Sequence, residues 1–81
     1  MTAWPAPRED ADRTFLELGI KCTIGAAVPV DLVSAHKWFN LAAMKGIDEA
    51  KSWRASIAKE MNTAQIAEAQ RLAREWLSIV R

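Results

Sequence analysis

Apolar residues recur along the chain at helical spacing, and nowhere do they alternate with polar ones as in a strand. Helix signals begin near Asp10, and Phe15, Leu18 and Cys22 fall at i, i+3 and i+7, with Ile20 and Ile24 beside them. Gly25 ends this first helix, because glycine enters the left-handed C-terminal conformation without steric cost. Pro29 keeps Val28 out of helical geometry, so residues 26–30 read as a short connection. Asp31 is placed to cap a second helix, with Leu32, Ala35, Phe39, Ala42 and Ala43 on one face and Trp38 and Leu41 widening it. Lys45 and Gly46 mark its exit, and Asp48 and Glu49 bring acids to the start of a third helix. The apolar positions of that helix are Ala50, Trp53, Ile57 and Met61.

Asn62 and Gln65 form a capping box before the last helix, whose apolar face is Ile66, Ala69, Ala73, Trp76, Leu77 and Val80, flanked by Leu72 and Ile79. Glu68, Arg71 and Glu75 stand at the i+3 and i+4 spacings that allow ion pairs on its solvent side. The expected fold class is therefore all-α, with four antiparallel helices joined by short connections. Residues 1–9, which hold Pro5 and Pro7, read as an arm, and residues 10–81 as a single domain.

At 81 residues there is no room for a second domain, and close to every large apolar side chain is needed for the core. Cys22 is the lone cysteine, so packing must hold the chain together without a disulfide or a Cys/His metal site. No basic, apolar-cored leader precedes the first helix, and no apolar run approaches the roughly 20 residues of a membrane span. The expected setting is cytoplasmic, with no membrane partner. Net charge is +1, divided as −2 over residues 1–50 and +3 over residues 51–81. That balance is too weak for a nucleic-acid surface, although Lys51, Arg54, Arg71 and Arg74 make one conceivable.

Candidate chemistry is sparse. His36, the sole histidine, sits one position off the apolar stripe and reads as solvent-facing. Cys22 reads as an inert buried thiol rather than the nucleophile of a Cys–His pair. The acidic pairs Asp10/Asp12 and Asp48/Glu49 lie where helices start, which explains them as dipole and cap residues, and the isolated glycines build no phosphate loop. No catalytic residue, metal or cofactor is expected. Trp38, Trp53 and Trp76 read as core, whereas Trp4 lies in the arm and either folds back on the chain's own helices or anchors another copy.

Between Thr14 and Ala50 one set of residues occurs together at fixed offsets: Leu18-Gly19, Gly25, Val28-Pro29, Asp31, Ala35, Trp38-Phe39, Ala42-Ala43, Gly46 and Ala50. This pattern resembles a full unit of the Sel-one-like repeat family, relatives of the tetratricopeptide repeat with two antiparallel helices per unit. The resemblance implies an α/α superhelix with a full repeat over about 14–50 and a degenerate repeat with a closing helix over about 51–81. Gly19 costs about 1 kcal/mol inside a helix relative to alanine, so a packing role beside Ala35, Ala42 and Ala43 is expected. Cys22 stands where the family often has an aromatic residue, and Ile47 stands where a polar cap is usual, which passes capping to Asp48. A shift of 36 residues pairs Leu18 with Arg54, so the second unit loses the leucine-glycine signature. Residues 67–76 resemble the closing helix that follows such repeats in some bacterial proteins.

These features lead to the expectation of a non-catalytic, bacterial protein–protein interaction module or adaptor that presents a helical groove to a protein or peptide. Trp4, Glu17, Lys21, Lys51 and Arg54 are the candidate contact residues. A self-associating structural subunit, a homodimer, is the alternative, and a nucleic-acid-binding helical domain a more distant one.

Overall fold

The computed structural model describes residues 7–80, with side chains described for residues 13–79. Trp4 lies outside them. Among the described residues all the regular structure is helical: α1 (Pro7–Ile24), α2 (Leu32–Met44), α3 (Asp48–Ala58) and α4 (Thr63–Val80). The first helix begins three residues before the expected start, so residues 7–9 belong to it rather than to an arm. Proline suits that first position because its φ is preset and its missing N–H would have had no intrahelical acceptor.

Helix ends follow local chemistry closely. Gly25 takes φ +78°, with its N–H on the Lys21 carbonyl at 2.8 Å, and Ala26 N–H reaches the same oxygen at 3.1 Å. Asp31 accepts from Ser34 N–H at 3.1 Å and from the Ser34 hydroxyl at 2.9 Å, capping α2. At the far end of α2, Gly46 N–H bonds to Ala43 O at 3.0 Å and Ile47 N–H to Ala42 O at 3.1 Å, the paired bonds of a Schellman motif. The Asn62–Gln65 box closes in both directions, at 2.9 and 2.7 Å.

One cap departs from expectation. Ile47 itself, not Asp48, is the N-cap of α3, and it makes no side-chain cap bond. Ile47 packs against the core instead. Asp48 is the first helical residue and pairs with Lys51 at 3.4 Å. Position 47 follows the closing glycine of α2, where an apolar residue packs back on the helix just ended.

The core centres on α2, which packs against α1, α3 and α4 in turn, whereas α1 only grazes α3. Consecutive helices α3 and α4 lack the close backbone approach of the two earlier pairs. Leu16, Ala35, Phe39, Ala42, Ala50, Ile57, Met61 and Ala69 form the buried cluster. Leu16, rather than Leu18, is the fully buried leucine of α1. It lies one turn before Gly19, and the Gly19 face is the one that meets α2: a Cβ built on Gly19 would come within 2.5 Å of the Phe39 ring. The expected packing role of this glycine therefore has a specific partner.

Two aromatic assemblies extend the core. Phe39 stacks on Trp53 with ring centroids 5.6 Å apart and planes at 21°, joining α2 to α3. Phe15, Trp38 and Trp76 meet at centroid distances of 5.7, 6.2 and 5.3 Å, joining α1, α2 and α4. Trp38, Trp53 and Trp76 are half-buried, so they edge the core rather than fill its centre. Lys37 Nζ lies 4.0 Å from the Trp38 ring centroid, within cation–π range. No helix among the described residues is long and apolar enough to cross a membrane.

Candidate functional site

A groove opens where the C-terminal turn of α1 faces α3, with a volume of about 420 Å³. Helical periodicity builds most of it, since positions 49, 52, 53, 56 and 57 share one face of α3. Trp53 and the buried Ile57 supply its apolar surface. Ser52 and Ser56, a single turn apart, add hydroxyls, and Glu49 stands at one end. Glu60, just past the last residue of α3, stands at the other. Thr23 closes the α1 side, and its hydroxyl donates to Gly19 O at 2.8 Å.

The floor is braced from behind. Trp53 stacks on Phe39, and Phe39 in turn presses on Gly19, so a column of contacts runs from α3 through α2 into α1. Phe39 has no solvent exposure, so the column has no slack on its inner side.

Next to this column lies a buried polar group that the hydrophobic pattern did not reveal. His36 is 4% exposed, not solvent-facing, and its Nδ1 has no hydrogen-bond partner. Burial pushes its pKa below the ordinary histidine value, and the nearby Arg54 cation pushes it further down. Arg54 reaches from α3 to α2, where its Nη1 donates to Asn40 Oδ1 at 2.7 Å. The α2 stripe is wider than Ala35 and Phe39 alone define, because α2 has neighbours on several sides, and position 36 falls inside it. Cys22 is half-buried, with its thiol pKa raised by burial and by the Asp31 carboxylate, against a smaller opposing effect of Lys37. That holds it as the protonated thiol at neutral pH, the less reactive form.

The contact residues expected from sequence do not converge on the groove. Glu17 and Lys21 are exposed on α1, Lys51 pairs with Asp48 on the surface, and half-buried Arg54 is engaged with Asn40. None of these four lines the groove. The residues that do were legible in part: Trp53 and Ile57 stand out by periodicity, and Glu49 and the serines flank them on the same helical face. Compared with protein-family models, curated proteins and solved structures, the chain finds no match.

Proposed function

We propose that this chain is a non-catalytic protein-interaction module of the Sel-one-like repeat kind, an adaptor that holds a segment of a partner protein in the groove between α1 and α3. The observation that carries the reading is the groove itself: the half-buried Trp53 ring, set over the buried Ile57 and braced by Phe39, faces an open groove. Half-buried aromatic side chains on a rigid support are the usual anchors of protein interfaces. The family resemblance favours the same reading and a bacterial, cytoplasmic setting.

Ser56 is exposed on the groove side of α3, so Ser56→Arg fills the groove while leaving the helix intact. Immobilised protein is expected to capture a partner from the source cell's lysate, and the Ser56→Arg variant to lose it. Capture of nothing, or capture indifferent to Ser56→Arg, overturns the reading.

A self-associating subunit is a second reading, favoured by one observation. Ile24, Val28 and Val30, at the end of α1 and in the loop after it, are 62%, 41% and 61% exposed. Grouped exposed apolar residues favour association. Light scattering at high micromolar concentration separates the two, since a monomer excludes it. The nucleic-acid reading draws less support. Of its four basic residues, Lys51 pairs with Asp48, Arg54 with Asn40, and Arg71 with Glu68 and Glu75.

A further inference from the structure

We propose that the groove takes a cationic peptide segment, with basic side chains at Glu49 and Glu60 and an apolar side chain between them over Trp53 and Ile57. This rests on the interaction-module reading and adds the chemistry of the partner.

The charges of the lining point one way. Glu49 and Glu60 are the only ionisable groups in it, and neither is in an ion pair among the described residues. The two acids of α4, by contrast, have a basic partner: Glu68 and Glu75 share Arg71. The groove thus carries two uncompensated negative charges.

Their positions sharpen the point. Glu49 lies in the first turn of α3, where the helix dipole favours an acid whether or not a partner binds. Glu60 stands between two helix ends, past the last residue of α3 and two residues before the Asn62 cap of α4. It follows the C-terminal end of α3, the negative pole of the dipole, where a basic residue is the favoured choice. The α3 pole disfavours an acid there and the α4 pole favours one, so neither helix end neutralises its charge, and a cation brought by a partner does.

The rest of the lining suits a peptide backbone and an apolar or guanidinium group. Among the described residues the hydroxyls of Ser52 and Ser56 make no hydrogen bond to the protein, so both are available to main-chain groups of a bound segment. The Trp53 indole takes either an apolar side chain or the flat face of an arginine. The two acids are separated by about 16 Å at the helical rise, which an extended peptide spans in about five residues. An anionic segment would meet only repulsion.

The test uses the full chain and three fluorescein-labelled peptides of equal length. The first has two arginines about five residues apart around a leucine, and the others carry glutamine or glutamate in place of arginine. Fluorescence anisotropy is expected to rank them arginine, glutamine, glutamate, with the arginine peptide weakening as salt rises. The Glu49→Gln/Glu60→Gln double variant, both sites exposed and its fold checked by circular dichroism, is expected to bind the arginine peptide about fivefold more weakly. The Glu49→Lys/Glu60→Lys variant is expected to prefer the glutamate peptide. Equal affinity for all three peptides, or full affinity retained by the glutamine double variant, overturns the proposal. If Ser56→Arg still abolishes lysate capture, only the cationic chemistry has failed; if there is no capture to abolish, the module reading has failed as well.

Discussion

The Phe39 ring occupies the space a side chain on Gly19 would need: a Cβ there would lie 2.5 Å from Cε1, 2.6 Å from Cδ1 and 2.9 Å from Cζ. Real contacts of that kind are not made, so one partner must move. Phe39 is wholly buried and stacked on Trp53, which leaves the ring nowhere to go. Gly19→Ala gains up to about 1 kcal/mol of helix propensity but overpacks the core by about 1–3 kcal/mol. The expected result is net destabilisation, read as a lower urea midpoint. Pairing it with Phe39→Leu should cost less than the sum of the single changes, because the smaller side chain makes room for the methyl. Additive effects would show that the two positions are not coupled.

His36 makes stability depend on pH in a defined direction. Its folded pKa lies below the ordinary value of about 6.5, first because it is buried and second because Arg54 is near. Above that value both folded and unfolded chains keep the imidazole neutral. As pH falls through it, the unfolded chain takes up the proton before the folded one does, so stability is lost toward acid pH. Urea midpoints should therefore drop between pH 7.5 and pH 5 by more in the parent than in His36→Leu. Arg54→Met should raise the His36 pKa, measured by NMR titration of its ring protons, by removing the smaller of the two effects that lower it.

Ala27 holds φ at +68° in the loop after α1, a left-handed conformation that strains any residue with a Cβ. It is exposed, so its methyl contributes little packing to offset the strain. Ala27→Gly is expected to stabilise the protein by about 0.5–1 kcal/mol, the strain relieved exceeding the entropy glycine adds to the unfolded chain. The reverse change at Gly25, where φ is +78° and Val30 Cγ2 would lie 3.0 Å from the new methyl, should destabilise by at least as much.

The caps give a graded series. Asp31→Ala and Asn62→Ala should each cost about 1 kcal/mol by thermal or chemical unfolding. Ile47→Asp would supply the side-chain cap that α3 lacks, worth about 1 kcal/mol. It would also take an apolar side chain from the core edge, which costs about as much or more. No net gain is expected from it. A clear stabilisation would show that Ile47 contributes little packing.

Features set within a few residues were legible in advance. The Asp31 cap, the Asn62–Gln65 box, the left-handed Gly25 and the Arg71 ion pairs all depend on groups at most four residues apart. Features that depend on how a helix is rotated were less so. The first helix carries Phe15, Leu16, Leu18, Ile20, Cys22 and Ile24, apolar on nearly every side, and periodicity alone selects Leu18 over Leu16. His36 was placed in solvent for a related reason, since a polar residue beside a narrow stripe gives no sign that the helix is enclosed on several sides. The candidate contacts Glu17, Lys21, Lys51 and Arg54 were chosen as exposed charges, but the groove gathers other residues of α3 around Trp53.

By itself the sequence determined the number of helices, how most of them end, and that a glycine in α1 must have a packing partner, because hydrogen bonding and backbone sterics act over short stretches of chain. Only the tertiary structure decided that Phe39 is that partner, that α2 is the common neighbour of the other three helices, and that one face of α3 is left open between two unpaired acids. Those outcomes depend on helices settling against one another by shape, and shape complementarity between distant segments is written in no local run of residues.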